Sequence, residues 1–377
     1  MLRPRPNALV REVLILAGEA SGDLHGAALA EQLHALRPEL ALAGTGGGRM
    51  RAAGVTLLEQ MDGVVGFLAL FRYVPAHISL YRRIRARIQS GNVALVVLID
   101  YGFFNLKVGA AAKAAGVPVL YFITPQVWAS RAGRMKAMAR VITRAAVILP
   151  FEESLLRANG INATFVGHPL LDRALELPDR AEARRRLGIP ADSEVLALFP
   201  GSRAGEIKRL LADFVAVGRE LQRRRPGLHV VVSVAPSVQL DPALVPFQLI
   251  RSASLEILRA ADVALCKSGT TTLEAAVAGC PCAIVYRTGK IDYAIAKRIV
   301  TIPFIGLLNI VAGREVAREF VQDAFAPMRV ADALAPLFDR SSPERAAMLD
   351  GLAEVRAKLG RPGAAARVAQ MASELAT

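Results

Sequence analysis

Cysteine, aromatic residues and long apolar runs are scarce in this sequence. Only three of its 377 residues are cysteines, and aromatic residues make up 6%, with a single tryptophan. Three cysteines exclude a disulfide scaffold, and the odd number is typical of a reducing compartment. Cys280 and Cys282 form a CxC pair with no second pair or nearby histidine, which argues against a zinc site. No stretch reaches the ~18 apolar residues that a membrane-spanning helix requires.

Two common nucleotide-binding motifs are also missing. The first strand is not followed by the GxGxxG dinucleotide fingerprint, and no GxxxxGK[ST] phosphate loop occurs. The glycine-rich residues 44–48 lack the rest of the dinucleotide context. A hydrophobic content of 53% against 21% charged residues excludes intrinsic disorder.

Acidic residues are outnumbered, with 33 Asp and Glu against 47 Lys and Arg, and the net charge is +14. Such a surface attracts anions: nucleic acid, anionic lipid or phosphorylated substrates. The mean hydropathy of +0.35 is high for a soluble protein. The N-terminal segment runs directly into a strand-like segment with no cleavage site, so we expect no signal peptide. These features predict a cytoplasmic protein that contacts a membrane surface.

Short runs of Val, Ile and Leu alternate with helical patterns along most of the chain. The runs are 13–17, 40–44, 94–100, 118–123, 145–151, 164–168, 195–201, 229–235, 247–252, 263–269 and 282–287. Continuous apolar runs between helices are typical of parallel strands buried on both faces. The fold class is therefore α/β, with two doubly wound Rossmann-like domains and a ligand site in the cleft between them.

The pattern pauses in a polar segment with three prolines between His168 and Glu194. We place the domain boundary there, with a first domain of residues 1–170 and a second of residues 171–342. The C-terminal helices, about 343–375, are expected to pack back on the first domain.

Polar side chains follow two strands of the first domain. The first strand ends in GEASGDLHG (18–26), where Glu19, Ser21 and Asp23 offer polar groups at a strand-to-helix turn. Asp100 ends the strand ALVVLID, and Asn105 follows shortly after it. A carboxylate at the carboxyl end of a buried strand is a candidate general base. A plain turn with Ser21 or Asp23 as a helix cap, and a structural Asp100, remain the alternatives.

The second domain carries two turns suited to anions. FPGSR (199–203) provides Gly201, Ser202 and the guanidinium of Arg203. In KSGTTTLEAA (267–276), residues Ser268 to Thr272 form a small, hydroxyl-rich turn at a helix start, which is a suitable site for a diphosphate. Of these, Ser268, Gly269, Thr270 and Thr271 are candidate UDP-binding residues. Glu274, one turn into that helix, is placed to bind a ribose, or else it is a partner of the helix dipole. A nucleotide diphosphate is the leading ligand.

Residues 65–88 are strongly apolar and then basic. Such a segment suits the interface of an anionic membrane, with a core helix as the equal alternative. For a second basic stretch, residues 129–140, we expect a solvated helix.

Several motifs together resemble the lipid-A-disaccharide synthase family, which has the GT-B glycosyltransferase fold. They are GEASGD (18–23), TPQVWA (124–129), PFE (150–152), GHPL (167–170), PGSR (200–203), SGTTTLE (268–274) and NIVAGRE (309–315). The resemblance implies transfer of 2,3-diacylglucosamine from its UDP conjugate to 2,3-diacylglucosamine 1-phosphate (lipid X). The product has a β-1,6 linkage, formed with inversion, and UDP is released.

The resemblance also assigns residues and partners. Asp100 matches the family's candidate base, and Glu19 is the second choice. Family positions for UDP fall on Arg203, Ser268, Thr270, Glu274 and Asn309. On the cleft or acceptor side we expect Ser21, Asn105, Arg314 and Glu315. The resemblance implies no cofactor and no divalent metal, and the sequence contains no DxD motif. The expected partners are the two lipid substrates and the anionic inner membrane, with no nucleic acid; a homodimer is one option for its assembly.

The sequence departs from the family pattern at several positions. Gly102 and Phe103 replace a proline and an aspartate after Asp100, and Ser130 replaces a tryptophan. Lys267 stands where a small residue is usual, and Leu308 replaces a proline. We therefore expect UDP-sugar binding to be preserved more strictly than the choice of acceptor.

Two alternatives remain open. One is another GT-B enzyme that uses UDP-N-acetylglucosamine, either a transferase or a 2-epimerase. The other is a nucleic-acid-binding protein, suggested by the isoelectric point of about 10.3. The scarcity of aromatic residues and the lack of a binding motif argue against the second alternative.

Overall fold

The computed structural model describes residues 11–60, 74–126, 134–289, 293 and 303–377. The chain divides into two compact units. The first unit consists of Met1–Pro169 together with Arg361–Thr377, and the second of Leu170–Gly360. The chain therefore passes from the first unit to the second and back again.

The first unit is built on a seven-stranded parallel sheet of order β3-β2-β1-β4-β5-β6-β7. Its strands are β1 (Glu12–Ala17), β2 (Ala41–Gly46), β3 (Thr56–Gln60), β4 (Val93–Ile99), β5 (Val119–Phe122), β6 (Arg144–Val147) and β7 (Ala163–Phe165). Its described helices before the boundary are α1 (Ala20–Leu36), α2 (Gly48–Ala52), α3 (Val74–Gln89), α4 (Gly102–Ala114), α5 (Arg134–Val141) and α6 (Pro150–Ala158).

Both faces of this sheet are covered, which explains the continuous apolar runs of its strands. Val13 and Ile15 of β1 pack on one side with Leu29 and Leu33 of α1. Leu14 and Leu16 point to the opposite side, into a cluster that includes Leu80, Ile84 and Ile88 of α3. Because alternate strand residues face opposite sides, both must be apolar when helices cover both faces.

The second unit has a six-stranded parallel sheet of order β10-β9-β8-β11-β12-β13. Its strands are β8 (Val195–Phe199), β9 (His229–Val234), β10 (Gln248–Arg251), β11 (Val263–Lys267), β12 (Cys282–Tyr286) and β13 (Glu319–Val321). Its described helices are α7 (Leu170–Ala174), α8 (Arg180–Leu187), α9 (Ala204–Arg224), α10 (Ser254–Ala260), α11 (Thr271–Ala278), α12 (Leu307–Ala312), α13 (Pro327–Leu334) and α14 (Pro343–Lys358).

The two C-terminal helices belong to different units. Helix α14 lies in the second unit, whereas α15 (Ala364–Leu375) lies in the first. Val368, Met371 and Ala372 of α15 are buried in the same cluster as Val13 and Ile15 of β1. The sequence analysis assigns both C-terminal helices to the first domain, but of these two described helices only α15 packs in the first unit.

Helix α3 covers the basic part of the segment proposed for membrane contact. Its Leu80, Ile84 and Ile88 are buried in the core of the first unit. Arg87 forms a bidentate ion pair with the buried Glu12, with N–O distances of 2.6 Å, and Arg83 pairs with Glu59. The apolar part of the segment, up to residue 73, lies outside the described residues, as do residues 129–133 of the second basic stretch. Of the helices described, none combines the length and apolar character needed to cross a bilayer.

Candidate functional site

The topology fixes where ligands are expected in each unit. The order of strands along each sheet reverses between β1 and β4 in the first unit and between β8 and β11 in the second. In doubly wound sheets, ligands bind outside the carboxyl ends of the strands at this switch point. Glu19 and Asp100 follow β1 and β4, while the PGSR and SGTT turns follow β8 and β11. Each pair of predicted turns therefore flanks a switch point.

Asp100 lies in a constrained turn between β4 and α4. Asp100 and Tyr101 both have positive φ angles, 46° and 51°, and the Asp100 residue is exposed. The side-chain amide of the fully buried Asn105 donates to the carbonyl oxygen of Asp100 at 2.9 Å, and the Tyr121 hydroxyl donates to the same oxygen at 2.7 Å. Asn105, predicted on the acceptor side, thus holds the backbone that carries Asp100.

Glu19 lies close to this turn, at the exposed start of α1. The negative charge of Glu19 adds to burial in raising the pKa of Tyr101. The ring of Tyr101 packs so closely on Gly18 that a side chain on Gly18 would collide with it. The Tyr101 hydroxyl is also hydrogen-bonded to the imidazole of His77 on α3. The two carboxylates named from the sequence therefore flank one tyrosine.

The other polar residues of the GEASGD turn differ in role. Ser21 is exposed in the first turn of α1. The buried carboxylate of Asp23 instead accepts hydrogen bonds from the backbone N–H groups of Gly47, Arg49 and Met50, at 2.6, 3.2 and 3.0 Å. Asp23 thereby binds the start of α2, which is a structural role.

The second unit has a cavity of about 370 Å³ at its switch point. It is lined by residues that follow β8, β9, β10 and β11, and seven of them were predicted to bind UDP: Gly201, Ser202, Ser268, Gly269, Thr270, Thr271 and Glu274. A larger cavity of about 870 Å³ in the first unit lies beside Asn92, Val93 and Pro118, at the opposite, amino end of the strands. Its position away from the switch point makes it a poor candidate.

The turn after β11 presents backbone donors to the cavity. In the described part of the chain, the N–H groups of Gly269, Thr270 and Thr271 make no hydrogen bond with the protein. The Ser268 hydroxyl donates to the carbonyl of Ile305 at 2.8 Å, and the Thr272 hydroxyl donates to that of Gly269 at 2.9 Å. Free amides at the start of a helix bind anions, so this turn is suited to a phosphate.

The turn after β8 is held by an acidic residue of the following helix. Glu206 accepts a hydrogen bond from the Ser202 N–H at 3.0 Å and pairs with the ammonium of Lys267 at 2.8 Å. Gly201 has a φ of 131°, and a Cβ there would lie 2.6 Å from a Glu206 oxygen, so only glycine fits. Burial is the largest single influence and raises the pKa of Glu206, but the hydrogen bond and charge attraction of Lys267, the Ser202 N–H and the charge of Arg203 together outweigh it and lower the pKa overall.

Glu274 is 6% exposed and lines the cavity from α11. Its carboxylate accepts a hydrogen bond from the Ser254 hydroxyl at 3.1 Å and forms an ion pair with Arg173 at 3.2 Å. Burial raises its pKa, while Arg173 opposes that effect. A buried carboxylate with free acceptor positions beside a cavity suits hydroxyl donors of a ligand.

Four predicted residues of the second unit are absent from the lining of this cavity: Arg203, Asn309, Arg314 and Glu315. Arg203 is exposed at the N-terminal boundary of α9, where its charge helps to lower the pKa of Glu206. Asn309 is fully buried: its amide donates to Ala317 and Glu319, and its oxygen accepts from the N–H groups of Val316 and Ala317. Arg314 pairs with Glu354, and Glu315 accepts from the N–H of Glu319.

Several site residues were not found from the sequence. His77, Tyr101, Arg173 and Glu206 all reach the switch points, and Glu319 anchors the backbone N–H groups of Ile305 and Gly306. Their partners are distant in sequence, except for Ser202 of the PGSR turn, whose N–H donates to Glu206. A glutamate four residues after a glycine turn was therefore the one available signal. Among the residues that the structure describes, no group of three or more His, Cys, Asp or Glu side chains is placed to bind a metal ion.

Comparison with known proteins decides the family. A family model described as lipid-A-disaccharide synthetase matches residues 13–372. A lipid-A-disaccharide synthase from Myxococcus xanthus (strain DK1622) is 38% identical over 373 residues, covering 96% of this chain and 97% of the relative. Another, from Syntrophus aciditrophicus (strain SB), is 39% identical over 375 residues, with the same coverage. The chain belongs to the lipid-A-disaccharide synthase family.

Membership of the lipid-A-disaccharide synthase family makes the chain a glycosyltransferase. Solved structures agree in fold. A UDP-glucose:anthocyanidin 3-O-glucosyltransferase in complex with UDP matches with a TM-score of 0.67 and 12% identity, covering 97% of this chain and 99% of that one. A UDP-GlcNAc 2-epimerase from Neisseria meningitidis matches with a TM-score of 0.64 and 12% identity, covering 96% and 100%. The GT-B prediction is confirmed, and the 2-epimerase alternative is not favoured.

Proposed function

We propose that this enzyme transfers 2,3-diacylglucosamine from its UDP conjugate to 2,3-diacylglucosamine 1-phosphate, releasing UDP. Family membership supports the reaction. Binding of the UDP-linked donor is supported by the switch-point cavity of the second unit, where the described N–H groups of residues 269–271 are unpaired.

In this proposal the second unit binds the UDP part of the donor. The free amides of Gly269, Thr270 and Thr271 donate to the diphosphate, where negative charge grows as the sugar leaves. Glu274 accepts from the ribose hydroxyls, in a position already fixed by Arg173 and Ser254. Asn309 acts by holding the backbone of Val316 and Ala317 and the carboxylate of Glu319, because its amide group is fully used there.

The first unit supplies the base. Asp100 is exposed at the switch point and takes the proton from the acceptor 6-hydroxyl, which then attacks the anomeric carbon as UDP departs from the opposite face. A single displacement of this kind inverts the anomeric centre. Asn105 and Tyr121 orient Asp100 through its carbonyl, and Glu19 is the second candidate for the base.

Acylated substrates require access to a lipid surface, so we propose peripheral contact with the anionic inner membrane from the cytoplasmic side. Helix α3 is the part of the described chain that supports this contact. Its inner face is buried in the core, while Arg82 and Arg85 are exposed on the other side. Arg83 and Arg87 have carboxylate partners and contribute less.

The reaction is tested with purified protein and the two lipid substrates. Formation of UDP together with a disaccharide of the summed mass is the expected result. UDP-N-acetylglucosamine serves as the second donor. Its turnover to an epimerised or transferred product, with no reaction of the diacylated donor, would support the other GT-B activities and refute the proposal.

A further inference from the structure

The cavity of the second unit contains a lysine whose charge is available to a ligand. Lys267 ends β11 and lines the cavity beside the turn with the three free amides. Its ammonium is bound to Glu206 at 2.8 Å. Among the residues the structure describes, the cavity lining includes Lys267 but not Glu206. Lys267 therefore faces the cavity, whereas Glu206 is outside the lining and contacts the Gly201–Ser202 turn.

The other ionised groups of the lining offset one another. Arg173 and Glu274 both line the cavity and form an ion pair with each other at 3.2 Å. That leaves Lys267 as the lining residue whose partner lies outside the lining. Its ammonium is also about 4.0 Å from the position that a Cβ on Gly269 would take, so it lies directly beside the anion-binding turn.

We propose that Lys267 binds the diphosphate of the donor and that Glu206 holds the lysine in place until the nucleotide arrives. This assignment rests on the proposed binding of UDP in this cavity. An ammonium is a compact charge with three donors on a flexible stem, so it can turn from the carboxylate to a phosphate a few ångströms away. Glu206 then retains its hydrogen bond from the Ser202 N–H, which keeps the PGSR turn in place.

The pairing makes Glu206 a competitor of the diphosphate. Before the nucleotide binds, the carboxylate neutralises the ammonium and limits the cost of partial burial for both groups. When UDP enters, Lys267 must leave Glu206 or share its donors between the two anions. Removing the charge of Glu206 should therefore strengthen UDP binding, whereas removing that of Lys267 should weaken it.

The experiment compares the binding of UDP and uridine by calorimetry in the full-length protein. Lys267→Met keeps the aliphatic stem and loses the charge. We expect UDP binding to weaken by about 10- to 100-fold, the range for a charged hydrogen bond, and uridine binding to change by less than twofold. Lys113→Met, which removes an exposed charge from the first unit, is the matched control and should leave both affinities unchanged.

Glu206→Gln tests the competition, because a glutamine oxygen still accepts from the Ser202 N–H. UDP binding should tighten by a few-fold, and the gain should shrink when Lys267 is Met. UDP affinity within twofold of the parent in Lys267→Met overturns the proposal. Equal loss of UDP and uridine also overturns it, because Lys267 would then support the cavity wall. Failure of the parent protein to bind UDP would instead refute the proposed function.

Discussion

At the scale of single residues, backbone conformation decides which substitutions are informative. Asp100 has a φ of 46°, a region that aspartate and asparagine tolerate better than other non-glycine residues. Its carbonyl is held by Asn105 and Tyr121. Replacement by asparagine therefore removes the charge while leaving the turn intact, whereas alanine would also add backbone strain.

Asp100→Asn should lower turnover by about 10²- to 10⁴-fold, the contribution of a general base. UDP affinity should stay unchanged, because the donor cavity is built from residues of the other unit. Steady-state rates and calorimetry with UDP measure the two quantities separately. Glu19→Gln serves as the comparison: if it lowers turnover more than Asp100→Asn does, Glu19 is the base.

His168 links stability to pH. Burial, assisted by the positive charge of His25, lowers the pKa of His168 to about 3. In the unfolded chain it takes up a proton near pH 6.5. The unfolded state therefore binds more protons between pH 6.5 and 3, and the folded state loses stability as the pH falls through that window.

His168→Gln should remove this dependence. Each pH unit below 6.5 costs the parent roughly 1.4 kcal/mol through His168, so acidification from pH 7 to 5 should destabilise the parent by about 2 kcal/mol more than the variant. Urea unfolding followed by circular dichroism at both pH values provides the comparison. Equal losses in the two proteins would show that His168 takes up its proton alike in the folded and unfolded states, which would contradict the lowered pKa.

At the scale of helices and strands, local patterns predicted the sheets well. Eleven apolar runs correspond to eleven of the thirteen described strands. The two missed strands are β3 and β13, which lie at sheet edges; Thr56–Gln60 is largely exposed, and Glu319–Val321 has three residues. Edge strands bury less surface, so their sequences carry a weaker apolar signal.

Side-chain roles were harder to predict than strands. The PGSR and SGTT turns follow directly from local sequence, because glycine, serine and threonine act where they stand. Asp23 and Asn309 act on backbone groups of other segments. Asp23 accepts hydrogen bonds from N–H groups 24 to 27 residues away, and Asn309 donates to the carbonyl oxygen of Ala317. Such roles depend on the tertiary fold, which single motifs do not specify.

Asp23→Ala should destabilise the first unit, because three backbone donors at the start of α2 lose their acceptor. We expect a loss of about 1.5–3 kcal/mol, the range for hydrogen bonds to a charged group. Thermal and urea unfolding measure the loss, and Asp350→Ala, at an exposed position of α14, is the control. Weaker UDP binding with unchanged stability would contradict this structural role.

At the scale of the whole molecule, the fold and the charge point to one kind of substrate. Both units have the same strand order around their switch point, and the chain carries a net charge of +14. A phosphorylated acceptor and a UDP-linked donor are both anionic. Charge alone does not separate such substrates from nucleic acid, whereas the family comparison identifies the chain as a glycosyltransferase.

The last prediction concerns membrane contact through α3. Arg82 and Arg85 are exposed there, whereas Arg83 and Arg87 are paired with Glu59 and Glu12. Each exposed arginine near an anionic surface contributes about 1 kcal/mol, so replacing both with serine should weaken vesicle binding by roughly 30-fold. Co-sedimentation with phosphatidylglycerol vesicles at low salt measures the change, since salt screens the attraction.

The control for this prediction removes the same charge elsewhere, with Lys113→Ser and Arg356→Ser combined, both at exposed positions. If net charge alone drives binding, this control should lose as much affinity as the α3 variant. If α3 makes the contact, the control should bind nearly as the parent does. Arg87 stays in place, because its loss would leave the buried Glu12 unpaired and confuse weaker binding with a damaged fold. Arg83 is also kept, since it is already paired with Glu59. Unchanged vesicle binding in the α3 variant would assign the contact to another surface.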